Sequence, residues 1–179
     1  MKSLVSIVVL FLATSAAAEQ LTDNKFFEAL KGKWTGRGDF TGTDDGAEPT
    51  LARNTIEAAF SDDGQMFTIK GGLLVGEDGT AFAEQPFLYR WEIMRSSIEG
   101  LYAGRFIVLT GDGEESDYEV SIDESALTAK LVQISGASGG SRFELTQQIV
   151  GDKYVVKISQ IDSNGKETTK GELTFTRED

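Results

Sequence analysis

From Gly32 to its end the chain is built of short segments in which apolar and polar residues alternate, and that period of two dictates the fold. Successive side chains of a β-strand point to opposite faces of the sheet, so each such segment reads as a strand with one buried and one wet side. The candidate strands are 33–40, 53–60, 65–75, 87–95, 101–109, 117–122, 126–134, 141–150, 153–161 and 168–177. Between them stand SDDG at 61–64, EDG at 77–79, GDGEES at 111–116, GD at 151–152 and DSNG at 162–165. These supply the glycine and Asx residues that hairpin turns require. Connections this short join antiparallel neighbours, since a parallel crossover needs a dozen residues or more. A sheet of about ten strands leaves two exposed edges unless it closes on itself. The sequence therefore predicts an all-β fold, an up-and-down antiparallel β-barrel of about ten strands.

Alternation also assigns the inward faces. Phe87, Tyr89, Trp91 and Ile93 share one face, against Arg90 and Glu92 on the other; Tyr118, Val120 and Ile122 oppose Asp117 and Glu119. Phe143, Leu145 and Ile149 align, as do Tyr154, Val156 and Ile158. The fifth strand, LYAGRFIVL, is apolar on both sides, so its phase stays open; one reading sets Arg105 inward with Ala103 and Ile107. In the first strand Trp34, Gly36, Gly38 and Phe40 lie on one face. Glycines in a strand mark a bend or the close approach of another backbone, which a barrel corner needs, and Trp34 is placed to plug one end. The last strand sets Arg177 in phase with Leu173 and Phe175. A cation on an apolar face must be paired or stacked, and in a closed barrel the first and last strands are neighbours. Trp34 and Arg177 are thus expected to form a structural clamp, the guanidinium lying over the indole.

Ahead of the barrel, TDNKFFEALK at 22–31 reads as a short helix, with Thr22 or Asp23 as its cap and Gly32 as its stop. Residues 1–18 have the pattern of a secretory signal peptide: one positive charge at Lys2, an apolar run from Leu4 to Leu12, and small residues at Ala16 and Ala18. The run is too short for a membrane anchor. Residues 19–179 then form one domain, expected in the periplasm or secreted. There is no cysteine, so the core must hold without disulfides. The whole chain carries a formal net charge of −12, which becomes −13 when Lys2 leaves with the leader. Such a chain is repelled by phosphate backbones and anionic lipid surfaces, which argues against nucleic-acid and membrane-surface partners.

The short helix, GKW at 32–34 on the first strand and an arginine on the last together resemble the calycin superfamily, the lipocalins and their relatives. Ten strands are closer to nitrobindin-like and fatty-acid-binding barrels, and to secreted bacterial lipocalin-like domains of unassigned function. The resemblance implies a barrel that encloses a small ligand. The departures are specific. Nitrobindin-like proteins bind heme through a histidine, and this chain has no histidine, so that activity does not carry over. Fatty-acid-binding barrels place a helical pair between the first two strands, where this chain has TGTDDGAEPTLA at 41–52, an acidic loop.

Without histidine or cysteine most nucleophile–base arrangements and most zinc, copper or heme ligation are excluded, so no metal, cofactor or catalytic residue is expected. No phosphate-binding GxxxxGK[ST] occurs. RGD at 37–39 lies inside a predicted strand, and DGEESD at 112–117 lacks the spacing of a calcium loop. What remains is the interior, lined by Phe60, Phe67, Ile69, Tyr89, Trp91, Tyr118, Phe143, Gln147, Tyr154 and Arg105. Gln147, which interrupts the apolar face between Leu145 and Ile149, and Arg105 are the groups suited to orient a polar head. Two functions fit best: a non-catalytic protein binding a small apolar or amphipathic ligand inside the barrel, or an envelope protein-interaction or structural module whose interior is filled; an enzyme using the barrel as a substrate pocket, with Tyr, Arg and carboxylate groups, ranks third. An open or packed interior separates the first two.

Overall fold

The computed structural model describes residues 20–42, 48–75, 88–136 and 140–178. The expected signal peptide at 1–18, the turn at 77–79, residues 43–47 of the acidic loop and Phe87 lie outside the described residues. A single 3₁₀ turn, Leu21–Asp23, leads into helix α1, Lys25–Leu30. Ten strands follow: β1 Gly32–Gly42, β2 Thr50–Phe60, β3 Met66–Val75, β4 Tyr89–Arg95, β5 Leu101–Val108, β6 Glu115–Asp123, β7 Thr128–Gln133, β8 Arg142–Val150, β9 Lys153–Ile161 and β10 Glu167–Arg177. Each pairs antiparallel with its neighbour in the chain, and β1 pairs with β10, so the sheet closes into a barrel. The first and second strands are longer than alternation alone suggests and take in 41–42 and 50–52 of the expected loop.

The barrel has two unlike ends. At one, where β1 begins and β10 finishes, α1 lies across the opening. Six residues are far too few for an isolated helix, and its stability comes from burying Phe26, Phe27 and Leu30 completely. Phe27 packs on Phe67 of β3 at 4.7 Å between ring centroids and edge-on to Tyr102 of β5 at 5.6 Å. The cap is Asn24, not the expected Thr22 or Asp23. Its side-chain oxygen accepts from the amides of Phe26 and Phe27 at 3.0 and 3.3 Å, while its Nδ2 donates to the Tyr102 hydroxyl at 3.0 Å. Its amide carries both an acceptor and a donor, so Asn24 caps the helix and binds β5 at once.

The glycines of the first strand have a physical use that only the register reveals. Gly36 faces Phe175 across the β1–β10 ladder, and a Cβ on it would stand 2.4 Å from that ring. Gly171 receives Phe40 in the same way, also at 2.4 Å. At Gly38 a Cβ would meet the backbone oxygen of Glu172 at 1.7 Å, the close backbone approach that strong coiling produces. Gly71 of β3 pairs with Tyr89 of β4, and a Cβ there would strike the phenol at 2.1 Å. Three aromatic rings thus lie over glycines of a neighbouring strand, a packing known to rescue strand glycines.

In β5 the phase runs opposite to the reading that put Arg105 inside. Tyr102, Gly104 and Phe106 face inward, and Arg105 projects to the outer surface. There it stands opposite Asp117, at 3.6 Å, with Glu115 at 3.9 Å. The two large rings take the interior, and the cation goes where carboxylates and water meet it.

Candidate functional site

Beyond the helix-covered end the barrel holds a cavity of about 280 Å³, near the lower limit of small-molecule sites. Rings supply much of its wall. Tyr89 and Trp91 of β4 each pack on Phe106 of β5, at 5.4 and 4.9 Å, and Trp91 meets Tyr118 of β6 edge-on at 4.7 Å. Across the barrel Tyr154 of β9 packs on Phe175 of β10 at 5.2 Å and on Trp34 at 5.9 Å. Phe143, toward the end away from α1, lines the cavity and is still 38% exposed.

The glycine pairings account for the space. Phe40, Tyr89 and Phe175 all line the cavity, and each is drawn over a glycine on the adjoining strand. A ring seated over a bare backbone lies against the wall and not across the middle. Gly71→Ala is the direct test. The added methyl must drive the Tyr89 phenol inward, since it cannot pass through β3. We expect a destabilisation of about 1–3 kcal/mol together with a smaller cavity that admits an apolar dye less well. Unchanged dye binding would show that Gly71 does not keep the space open.

Polar groups in the wall are few. Asn54 of β2 is 4% exposed and donates through Nδ2 to the Tyr89 hydroxyl at 2.8 Å. Gln147 of β8 is 3% exposed. Burial pushes the phenols of Tyr89 and Tyr118 up to about 12, the hydrogen bond from Asn54 opposing the shift at Tyr89. Tyr154 is raised well above the ordinary value, by burial first and by the Tyr89 charge second. All three are neutral phenols across the physiological range. Among the described residues that form the wall there is no Lys, Arg, Asp or Glu. A wall of phenols, amides and hydrocarbon can surround an uncharged molecule, but it offers no group poised near neutral pH for proton transfer.

Of the residues singled out from sequence, Tyr89, Trp91, Tyr118, Phe143, Gln147 and Tyr154 come together around this cavity, with Ile69. Arg105 does not, and Phe60 and Phe67 pack together beneath α1 at 5.0 Å. Trp34 and Arg177 sit outside the cavity wall, the guanidinium carbon 4.5 Å from the indole centroid. Asn54 was missed, although it carries the same signal as Gln147: it interrupts an inward face formed by Ala52, Ile56 and Ala58.

No family model and no curated protein matches the chain. Solved structures do. A phycobiliprotein lyase of the S type, CPES from Guillardia theta, is similar with a TM-score of 0.61 and 12% identity, over 90% of this chain and 94% of that one. Rv2717c from M. tuberculosis is similar with a TM-score of 0.54 and 14% identity, over 84% of this chain and 94% of that one. A protein of unknown function from the DUF3598 family, from Nostoc punctiforme, is similar with a TM-score of 0.53 and 12% identity over 84% of this chain. This chain spans about half of that protein, 48%. At such identities the likeness is one of fold, and the fold is a calycin-like barrel. No helix among the described residues is long and apolar enough to cross a membrane.

Proposed function

We propose that this chain is an exported, non-catalytic protein that binds one small apolar or amphipathic molecule inside its barrel, in the periplasm or after secretion. The observation that carries the reading is the cavity of about 280 Å³ with its aromatic wall. A packed interior would have favoured a module acting through its surface; an open one favours a ligand. The calycin-like barrel common to this chain and the phycobiliprotein lyase supports the same view. Export rests on the leader pattern of residues 1–18, and the acidic charge makes nucleic acid and anionic membrane poor partners.

The test is native mass spectrometry, with solvent extraction, on the protein recovered from its export compartment, followed by titration of the purified protein with the neutral fluorescent probe 1-naphthylamine, whose size suits the cavity. A small molecule carried at close to one per chain, or saturable one-to-one binding of the probe, is the expected result. Protein that arrives empty and leaves the probe in water would return the choice to a partner-binding module.

A further inference from the structure

Among the described residues three side-chain amides are buried in this barrel away from the helix, and they are not treated alike. Gln133, at the end of β7, is fully used: its Oε1 accepts from the Phe143 amide at 2.9 Å, and its Nε2 donates to the Ser116 hydroxyl and the Ser135 carbonyl, both at 3.1 Å. Asn54 and Gln147 differ. The Oδ1 of Asn54 and the Oε1 of Gln147 are buried and have no hydrogen-bond partner, and both residues line the cavity. A buried carbonyl oxygen without a donor is a standing penalty, and these two residues keep it where leucine would avoid it. Three strands separate them one way round the barrel and five the other, so they address the cavity from two sides.

We propose that the cavity selects an uncharged ligand that donates hydrogen bonds, an alcohol, phenol or N–H compound, and discriminates against a carboxylate of the same shape. The inference rests on the cavity being a ligand site and names what that ligand must carry. A donor brought to Asn54 Oδ1 or Gln147 Oε1 satisfies an atom the protein leaves unsatisfied. A carboxylate brings only further acceptors to those oxygens and meets no cation in the described wall. The phenols of Tyr89, Tyr118 and Tyr154 can donate to it, but they cannot balance a full charge taken out of water. An ammonium head is disfavoured by the same reasoning, since no carboxylate stands in the described wall. The Asn54 amide already holds the Tyr89 hydroxyl as an acceptor, which leaves that hydroxyl's proton free for the oxygen of an alcohol. One hydroxyl group can therefore donate to Asn54 and accept from Tyr89.

At roughly 30 Å³ per water-sized volume, a space of about 280 Å³ holds about nine such volumes, the scale of a small bicyclic molecule. Three matched probes decide the matter by isothermal titration calorimetry on the purified full domain: 2-naphthylmethanol, 2-naphthoate and 2-methylnaphthalene. The alcohol is expected to bind roughly tenfold or more tightly than the hydrocarbon, and the carboxylate more weakly than either. Gln147→Met and Asn54→Leu should erase the preference for the alcohol while holding the hydrocarbon at least as tightly, which also certifies that the variants fold. Gln147→Met should not lower Tm, because it removes a penalty. If 2-naphthoate binds as well as the alcohol, or the alcohol gains nothing over the hydrocarbon, the donor rule is overturned and the cavity remains a ligand site. If none of the three binds, the ligand site itself is overturned, and the donor rule with it.

Discussion

Replacing Trp34 with alanine is expected to lower the unfolding free energy by about 3–5 kcal/mol and Tm by roughly 10 °C. The ring is 1% exposed and joins three elements. Its Nε1 donates to the Leu30 carbonyl at 2.7 Å, one of the orphan carbonyls at the end of α1. Arg177 lies over one side of it and donates to the carbonyls of Lys31, at 3.0 Å, and Ala29. Indole and guanidinium together therefore satisfy the last turn of the helix and fasten it to β1 and β10. Arg177→Ala should cost less, about 1–3 kcal/mol, since it removes hydrogen bonds and a stacked cation but leaves no comparable cavity. The double substitution should fall short of the sum, with a coupling of about 0.5–2 kcal/mol. Urea unfolding followed by circular dichroism measures all three, and Arg177→Ala with unchanged stability would dispose of the clamp. Because Trp34 does not line the cavity, the folded fraction of Trp34→Ala should still bind an apolar probe.

Alternation made the ten strands and most of their faces legible, because burial on one side imposes the period of two and nothing in this chain opposes it. It failed at β5 for the same reason it succeeded elsewhere. With Tyr102 and Phe106 on one face and Leu101 and Ile107 on the other, apolar residues stand on both sides, and Arg105 alone marks the outer one. Asn54 was legible in principle. The pairing of glycines with rings was not, since it depends on register between strands far apart in sequence, as Gly36 with Phe175. That pairing also bears on whether the interior is open: the same aromatic residues would fill a core if their rings pointed to its centre. Composition cannot tell the two apart, whereas a glycine beneath each of three rings can.

Stability should fall steeply above pH 10, the ordinary value for a phenol. Tyr89 and Tyr118 are pushed up to about 12 and Tyr154 higher, with burial as the leading cause in each. In the unfolded chain these phenols lose their protons near pH 10, while in the folded barrel they keep them. Between the two values the unfolded state binds fewer protons, so the unfolding free energy drops as pH rises. The slope is about 1.4 kcal/mol per pH unit for each phenol that stays neutral. Their contribution is complete below pH 10 and is lost as pH climbs through the folded-state values. Urea unfolding from pH 8 to 12, with phenolate absorbance followed on the folded protein, measures both sides of this linkage. Tyr118→Phe should make the slope shallower by one phenol's share. If the folded protein instead ionised all its tyrosines near pH 10 without unfolding, the phenols would have to be in contact with water and the cavity wetter than its wall implies. A ligand such as 2-naphthylmethanol should also raise the pH at which the barrel opens. It stabilises only the state in which these three phenols, as parts of one wall, are still protonated.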